Sequence, residues 1–232
     1  MSTTVITGAS QGIGAAIARA LASPGATVCL VSRTEEKLEA VASQCREAGA
    51  QAFVFPCDVT SQDEVRRMAA QVCDTVGVPD TVVNNAGSFI PGSLAETEAS
   101  VFRSQLEVNL TSAFLVTRAF LPGLVLRGSG HLVFMGSVAS VRGYAGGIAY
   151  CAAKHGLLGL ARGVREETRE AGVRVTTILP GATLTPSWDG ADIPSDRFMP
   201  PEDIAAAVQS VLAMSGRTVV EEVLLRPQLG DL

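Results

Sequence analysis

Short β-branched runs alternate with helical stretches along nearly the whole chain, and this alternation restricts the fold more than any other feature. Thr3–Thr7, Thr27–Ser32, Gln51–Pro56, Asp80–Val83, His131–Met135, Val173–Leu179 and Val219–Arg226 each read as a strand. Helical patterns fill most of the gaps: an Ala-rich stretch to about Ala22, then Glu35–Ala48, a segment from Ser61 or Asp63 to about Val76, Ala99–Leu126 with an interruption at Pro122-Gly123, Ala149–Gly163 and a last helix opening at Pro201-Glu202-Asp203. A helix between two strands carries the chain back to its starting edge, so the strands run parallel. The expected fold is α/β, with seven mostly parallel strands and helices on both faces, as one domain over residues 1–232. In such sheets ligands bind at the carboxyl ends of the strands.

Composition removes several alternatives. Apolar residues make up 47% of the chain and charged residues 18%, which suits a folded core rather than disorder. The net charge is −5 and no Lys/Arg run occurs, so neither nucleic acid nor an anionic membrane is an expected partner. The five cysteines, Cys29, Cys45, Cys57, Cys73 and Cys151, include no Cys-x-x-Cys pair, and the only histidines are His131 and His155. Neither a metal site nor a disulfide framework is expected, and the odd thiol count fits a reduced cytoplasmic setting. The first residues enter a strand without a basic leader, and no uncharged apolar run approaches membrane-spanning length.

The junction of the first strand and first helix reads Gly8-Ala9-Ser10-Gln11-Gly12-Ile13-Gly14. Glycines there let backbone amides approach a pyrophosphate, and the helix N-terminus adds its positive dipole end. The spacing is G-x-x-x-G-x-G, a wider turn than G-x-G-x-x-G. Ser32 and Arg33 stand at the end of the second strand, where an acid would bind the ribose 2′-hydroxyl of NAD. A guanidinium there matches a 2′-phosphate instead, which favours NADP(H) over NAD(H); the competing reading pairs Arg33 with Glu35 or Glu36. Asp58 and Val59 follow the third strand, and the Asp is placed to accept from an adenine amino group. Asn84-Asn85-Ala86-Gly87 follows the fourth, with small residues and side-chain amides suited to a turn against a ligand.

Tyr150 and Lys154 are four residues apart, which on a helix stacks them on one face. An ammonium within about 4–6 Å favours a phenolate, so the pair is expected to lower the tyrosine pKa and permit proton transfer near neutral pH. Ser137, delivered by the fifth strand, adds a hydroxyl for a carbonyl or alcohol oxygen. Asn109 lies within a helical stretch, where Asn needs a local hydrogen-bonding reason.

Taken together, these residues resemble the short-chain dehydrogenase/reductase family. The likeness spans essentially the whole chain and rests on Thr7-Gly8-(x)3-Gly12-Ile13-Gly14, Asp58-Val59, Asn84-Asn85-Ala86-Gly87, Asn109, Ser137, Tyr150 with Lys154, and Pro180-Gly181 with Thr185. It implies a Rossmann-type fold and hydride transfer between a nicotinamide cofactor and a small carbonyl or alcohol. Tyr150 would be the general acid or base. Lys154 would tune it and bind the nicotinamide ribose, Ser137 would orient the substrate oxygen, and Asn109 would hold a water on the proton path. The cofactor residues implied are Gly8, Ser10, Gln11, Gly12, Ile13, Gly14, Ser32, Arg33, Asp58, Val59, Asn85, Ala86, Gly87, Tyr150, Lys154, Pro180, Gly181, Thr183 and Thr185. Arg33 matches one of the family's two NADP markers, while Gln11 occupies the other position. Relatives pair through the long helix and the Tyr150 helix, so a homotetramer or dimer is expected.

The Pro/Gly/Asp-rich segment 186–199, with the only Trp, Trp188, reads as a short lid. Phe89, Ile90, Val138, Tyr144 and Trp188 are candidates for an apolar substrate pocket. A 3-oxoacyl-carrier-protein reductase is one alternative, opposed by the absence of a glycine-rich ending after Glu221. A cofactor-binding sensor or scaffold is another, opposed by the complete Tyr/Lys pair.

Overall fold

The computed structural model describes residues 2–190 and 192–232. Its strands are β1 (Thr3–Thr7), β2 (Thr27–Ser32), β3 (Gln51–Pro56), β4 (Thr81–Asn84), β5 (Gly130–Met135), β6 (Val173–Pro180) and β7 (Glu222–Leu225). They form one sheet in the order β3-β2-β1-β4-β5-β6-β7. Every neighbouring pair is parallel. The order reverses between β1 and β4. That switch point opens a crevice above their carboxyl ends.

The helices are α1 (Gly12–Leu21), α2 (Glu35–Glu47), α3 (Gln62–Val76), α4 (Ala99–Leu106), α5 (Ser112–Arg127), α6 (Ile148–Thr168) and α7 (Pro201–Leu212). Strand alternation sorts the core into two layers. Val5, Leu132 and Phe134 point to the side of Met68, Phe120 and Leu157; Ile6, Val133 and Met135 point to the side of Ile17, Leu38 and Ile204. Each such large side chain, fully removed from water, contributes about 1.5–3 kcal/mol. With both faces covered, the strands read as nearly continuous apolar runs.

Two expectations change. The chain does not break at Pro122-Gly123: α4, a π turn at Glu107–Thr111 and α5 run on as one helix through Arg127. Pro122 is exposed, so the carbonyl that it leaves without an amide partner faces water. At 29 residues, Ala99–Arg127 is also long and apolar enough to cross a bilayer by length and composition, although Arg103, Glu107 and Arg118 interrupt it with charge. Here its residues Leu115, Val116, Phe120 and Leu124 are buried against the sheet, as in a core helix. The final strand is shorter than expected, because ladder pairing with β6 begins at Glu222. The proposed lid contains two single 3-10 turns, Pro186–Trp188 and Ser195–Arg197; Ala191 lies outside the described residues.

Candidate active site

A cavity of about 420 Å³ opens at the carboxyl edge of the sheet, across the switch point. Gly8, Gln11, Gly12 and Ile13 line one side of it, Asn85, Gly87 and Asn109 the middle, and Ser137, Tyr150 and Lys154 the other side. Pro180, Gly181, Thr183 and Thr185 close it from the end of β6. Thus most of the sequence-derived site residues, drawn from β1, β4, β5, β6 and α6, converge on one space.

The glycine turn is shaped by close contacts. Gly8 and Gly12 have positive φ angles of 65° and 55°. A Cβ on Gly14 would lie 2.3 Å from Gly8 O and 2.5 Å from Asn85 Nδ2, so only glycine fits. Asn85 ties the turn to the sheet by donating from Nδ2 to Thr7 O at 2.9 Å and Gly8 O at 3.2 Å. Gln11, which caps α1, makes no side-chain bond to the first-turn amides. The end of α1 therefore offers its N–H groups and dipole to the cavity, an arrangement that suits an anion.

Ser10, Gly14, Ser32, Arg33, Asp58, Val59 and Ala86 do not line this cavity. Ser32, Arg33, Asp58 and Val59 sit beside it, at the ends of β2 and β3. The Ser32 hydroxyl is buried and has no hydrogen-bond partner. Arg33 is exposed and forms no ion pair with Glu35 or Glu36 among the described residues. Its charge instead acts on Asp58. Hydrogen bonds from the Thr60 backbone and hydroxyl hold the Asp58 carboxyl below its ordinary range, with Arg33 adding a smaller pull. An unpartnered hydroxyl beside an unpaired guanidinium fits a ribose bearing a 2′-phosphate.

At the other side, Lys154 is buried and donates from Nζ to Met135 O at 2.9 Å. Burial lowers its pKa from 10.5 to about 8. The Lys154 ammonium lies 5.5 Å from the centre of the Tyr150 ring. The expected net lowering of the Tyr150 pKa is corrected: burial outweighs the other influences and pushes the phenol up, hydrogen bonding with Ser137 opposes the rise, and Cys151 adds to it. At neutral pH Tyr150 therefore carries its proton and is set as a donor. Phe89 packs edge-on against the Tyr150 ring, 5.2 Å between centroids.

Asn109 sits in the π turn, which accounts for its place inside a helix. Its Oδ1 accepts from Ser88 N at 3.2 Å, and its Nδ2 donates to Ser88 O and Gln105 O at 2.9 and 3.0 Å. The side chain is thus committed to holding the loop after β4. A Cβ on Gly87 would lie 2.7 Å from Asn109 Oδ1 and 3.6 Å from Lys154 Nζ, so this glycine leaves room for the Asn109 amide.

Of the five apolar candidates, Phe89, Val138, Tyr144 and Trp188 line the cavity; Ile90 does not and is exposed. Sequence reasoning missed Arg142 and Asp231, which also line it. After β7 the chain turns at Pro227–Gly230 and brings Asp231 back to the cavity rim. There Asp231 accepts from Arg142 Nη1 at 3.1 Å, Arg226 Nε at 3.0 Å and Arg226 Nη2 at 2.6 Å. No local pattern links residues 89 positions apart, so the sequence held no signal for this rim. Gln105 was also missed, although its spacing of four from Asn109 was a usable hint.

The family model for short chain dehydrogenases matches residues 2–193. A sepiapterin reductase of Chlorobaculum tepidum is 36% identical over 236 aligned positions, covering 98% of this chain and 97% of the relative. The crystal structure of an alcohol dehydrogenase from the archaeon Thermococcus sibiricus, complexed with 5-hydroxy-NADP, superimposes with a TM-score of 0.93 at 33% identity, covering 100% of this chain and 99% of that one. An actinorhodin polyketide ketoreductase variant with NADPH has a TM-score of 0.91 at 29% identity, covering 100% and 98%.

Proposed function

The chain belongs to the short-chain dehydrogenase family, and on that premise we propose that it is an NADP(H)-dependent oxidoreductase interconverting a small carbonyl compound and its secondary alcohol. The observation that carries this reading is the convergence of Ser137, Tyr150 and Lys154 on one cavity with the glycine turn of β1. The cofactor-bound relatives support NADP(H), as do the free Arg33 and the unpartnered Ser32 hydroxyl.

The residues divide the work. Gly8, Ser10, Gln11, Gly12, Ile13 and Gly14 would cradle the pyrophosphate, and Ser32 and Arg33 the 2′-phosphate. Asp58 and Val59 would face the adenine, while Asn85, Ala86 and Gly87 would support the adenosine side of the cofactor. Pro180, Gly181, Thr183 and Thr185 would hold the nicotinamide end. When bound, the nicotinamide supplies or accepts the hydride. In reduction, Tyr150 Oη gives its proton to the substrate oxygen, and Ser137 hydrogen-bonds that same oxygen. Lys154, cationic below about pH 8, stabilises the phenolate that remains. Asn109 keeps the Ser88 loop in place. In oxidation the proton runs the other way.

Replacing Tyr150 with Phe tests the assignment. Turnover of carbonyl substrates should fall at least about a hundredfold, while NADPH still binds with near wild-type affinity by fluorescence titration. A Tyr150→Phe protein that retains full turnover would overturn the mechanism.

A further inference from the structure

Ser137 does not hold its position unaided. It is the N-cap of a single 3-10 turn, Val138–Ser140, and the turn is closed by a reciprocal box. The Ser137 Oγ accepts from Ala139 N at 3.1 Å. In return, the Ser140 Oγ accepts from Ser137 N at 3.2 Å. Ser140 N also donates to Ser137 O at 2.8 Å, so the two serines share two bonds, and the Ala139 amide adds a third within the same four residues.

We propose that Ser140 is a positioning residue for the reaction, acting through Ser137: its hydroxyl locks the Ser137 backbone so that the Ser137 side chain presents its O–H to the cavity. The lock works by elimination. A serine hydroxyl has two acceptor lone pairs and one proton. Because Ala139 N–H is already directed at one lone pair of Ser137, the hydroxyl proton is kept off that side and is free to point toward the cavity that Ser137 lines. Its one fixed acceptor bond depends on Ser137 keeping its extended backbone, φ −168° and ψ 165°, and the Ser140 hydroxyl secures the amide of that residue.

Burial makes the lock stiff. Ser140 is 2% exposed and Ser137 8%, so the Ser137 amide has no water to replace a lost partner. Gly136 makes room for it. A Cβ on Gly136 would lie 3.0 Å from Ser140 Oγ and 2.6 Å from Leu179 Cδ2, so any other residue would press on the hydroxyl that caps its neighbour. Ser140 itself does not line the cavity, which separates its role from substrate contact. The upward-shifted Tyr150 phenol is opposed by hydrogen bonding with Ser137, so a loosened Ser137 also removes that restraint on the acid.

This inference rests on the catalytic reading of Ser137, and a double-mutant cycle separates the two. Ser140→Ala, Ser137→Ala and the double variant would be compared for kcat, KM, NADPH affinity and melting temperature. Ser140→Ala should lower kcat about tenfold, the effect of losing one orienting hydrogen bond, with NADPH affinity unchanged. In the Ser137→Ala background it should lower kcat no further, because there is no hydroxyl left to position. Ser140→Cys, which keeps the shape of the side chain but offers only a weak acceptor, should repeat the result if Ser140→Ala is poorly folded. Losses that multiply in the double variant would show a general structural effect and overturn the proposal. So would a wild-type kcat in Ser140→Ala beside a crippled Ser137→Ala, which leaves the catalytic reading intact. Full turnover in Ser137→Ala would instead refute the reading of Ser137, and the proposal with it.

Discussion

Replacing Lys154 with Met should make this protein more stable at neutral pH while removing its activity. Lys154 is 4% exposed, and burial lowers its pKa from 10.5 to about 8. At about 1.4 kcal/mol per pH unit, holding the cation in the folded state at pH 7 costs about 3 kcal/mol. Its bond to Met135 O, 2.9 Å long, returns about 1.5 kcal/mol. Methionine is close in length and carries no charge, so the net gain at pH 7 is about 1–2 kcal/mol. For a chain of this size that raises Tm by about 3–6 °C. The pH dependence provides a sharper test. The folded lysine has the lower pKa, so the cost is fully present below pH 8. Between pH 8 and 10.5 the folded lysine loses its proton while the unfolded one retains it, and wild-type stability climbs relative to the variant. By pH 9.5 about 2 kcal/mol of the cost is gone and the two proteins should melt together. Urea unfolding or differential scanning fluorimetry at pH 7 and 9.5 reads this directly. A variant less stable than wild type at pH 7, or a gap that does not change with pH, would refute the reasoning.

Three further outcomes follow from named contacts. Arg33→Ala should weaken NADPH binding by roughly tenfold or more and leave NADH binding nearly unchanged, read by fluorescence titration; equal losses for both would place Arg33 away from the 2′-phosphate. Gly14→Ala must push its new methyl into Gly8 O and Asn85 Nδ2, so thermal denaturation should show a loss of about 2–3 kcal/mol, with weaker cofactor binding. Asp231→Ala releases Arg142 and Arg226 from partly exposed ion pairs, so Tm should move by no more than about 2 °C. The same change alters the cavity rim, and KM across a panel of carbonyl substrates should shift while NADPH affinity does not.

How much of this was written locally can be seen in particular residues. The strands β1 and β2 begin and end where their apolar and β-branched runs do, because a run buried on both faces has a sharp compositional edge. Tyr150 and Lys154 were legible as a pair because helix geometry alone brings residues four apart to one face. The glycine turn was legible because positive φ and close backbone approach admit few other residues. Pro122 misled, since its effect on a helix depends on whether the orphaned carbonyl meets water, and exposure is a tertiary property.

The sequence by itself determined the layer architecture, the pairing of Tyr150 with Lys154 on one helix face and the glycine turn after the first strand. Those are matters of periodicity and of spacing over a few residues. Only the tertiary structure decided the protonation of the site. Burial raises Tyr150 and lowers Lys154, and burial is a sum over elements distant in the chain. It alone also closed the rim, where Asp231 meets Arg142 across 89 positions, because an ion pair between remote segments has no local signature until the sheet brings their ends together.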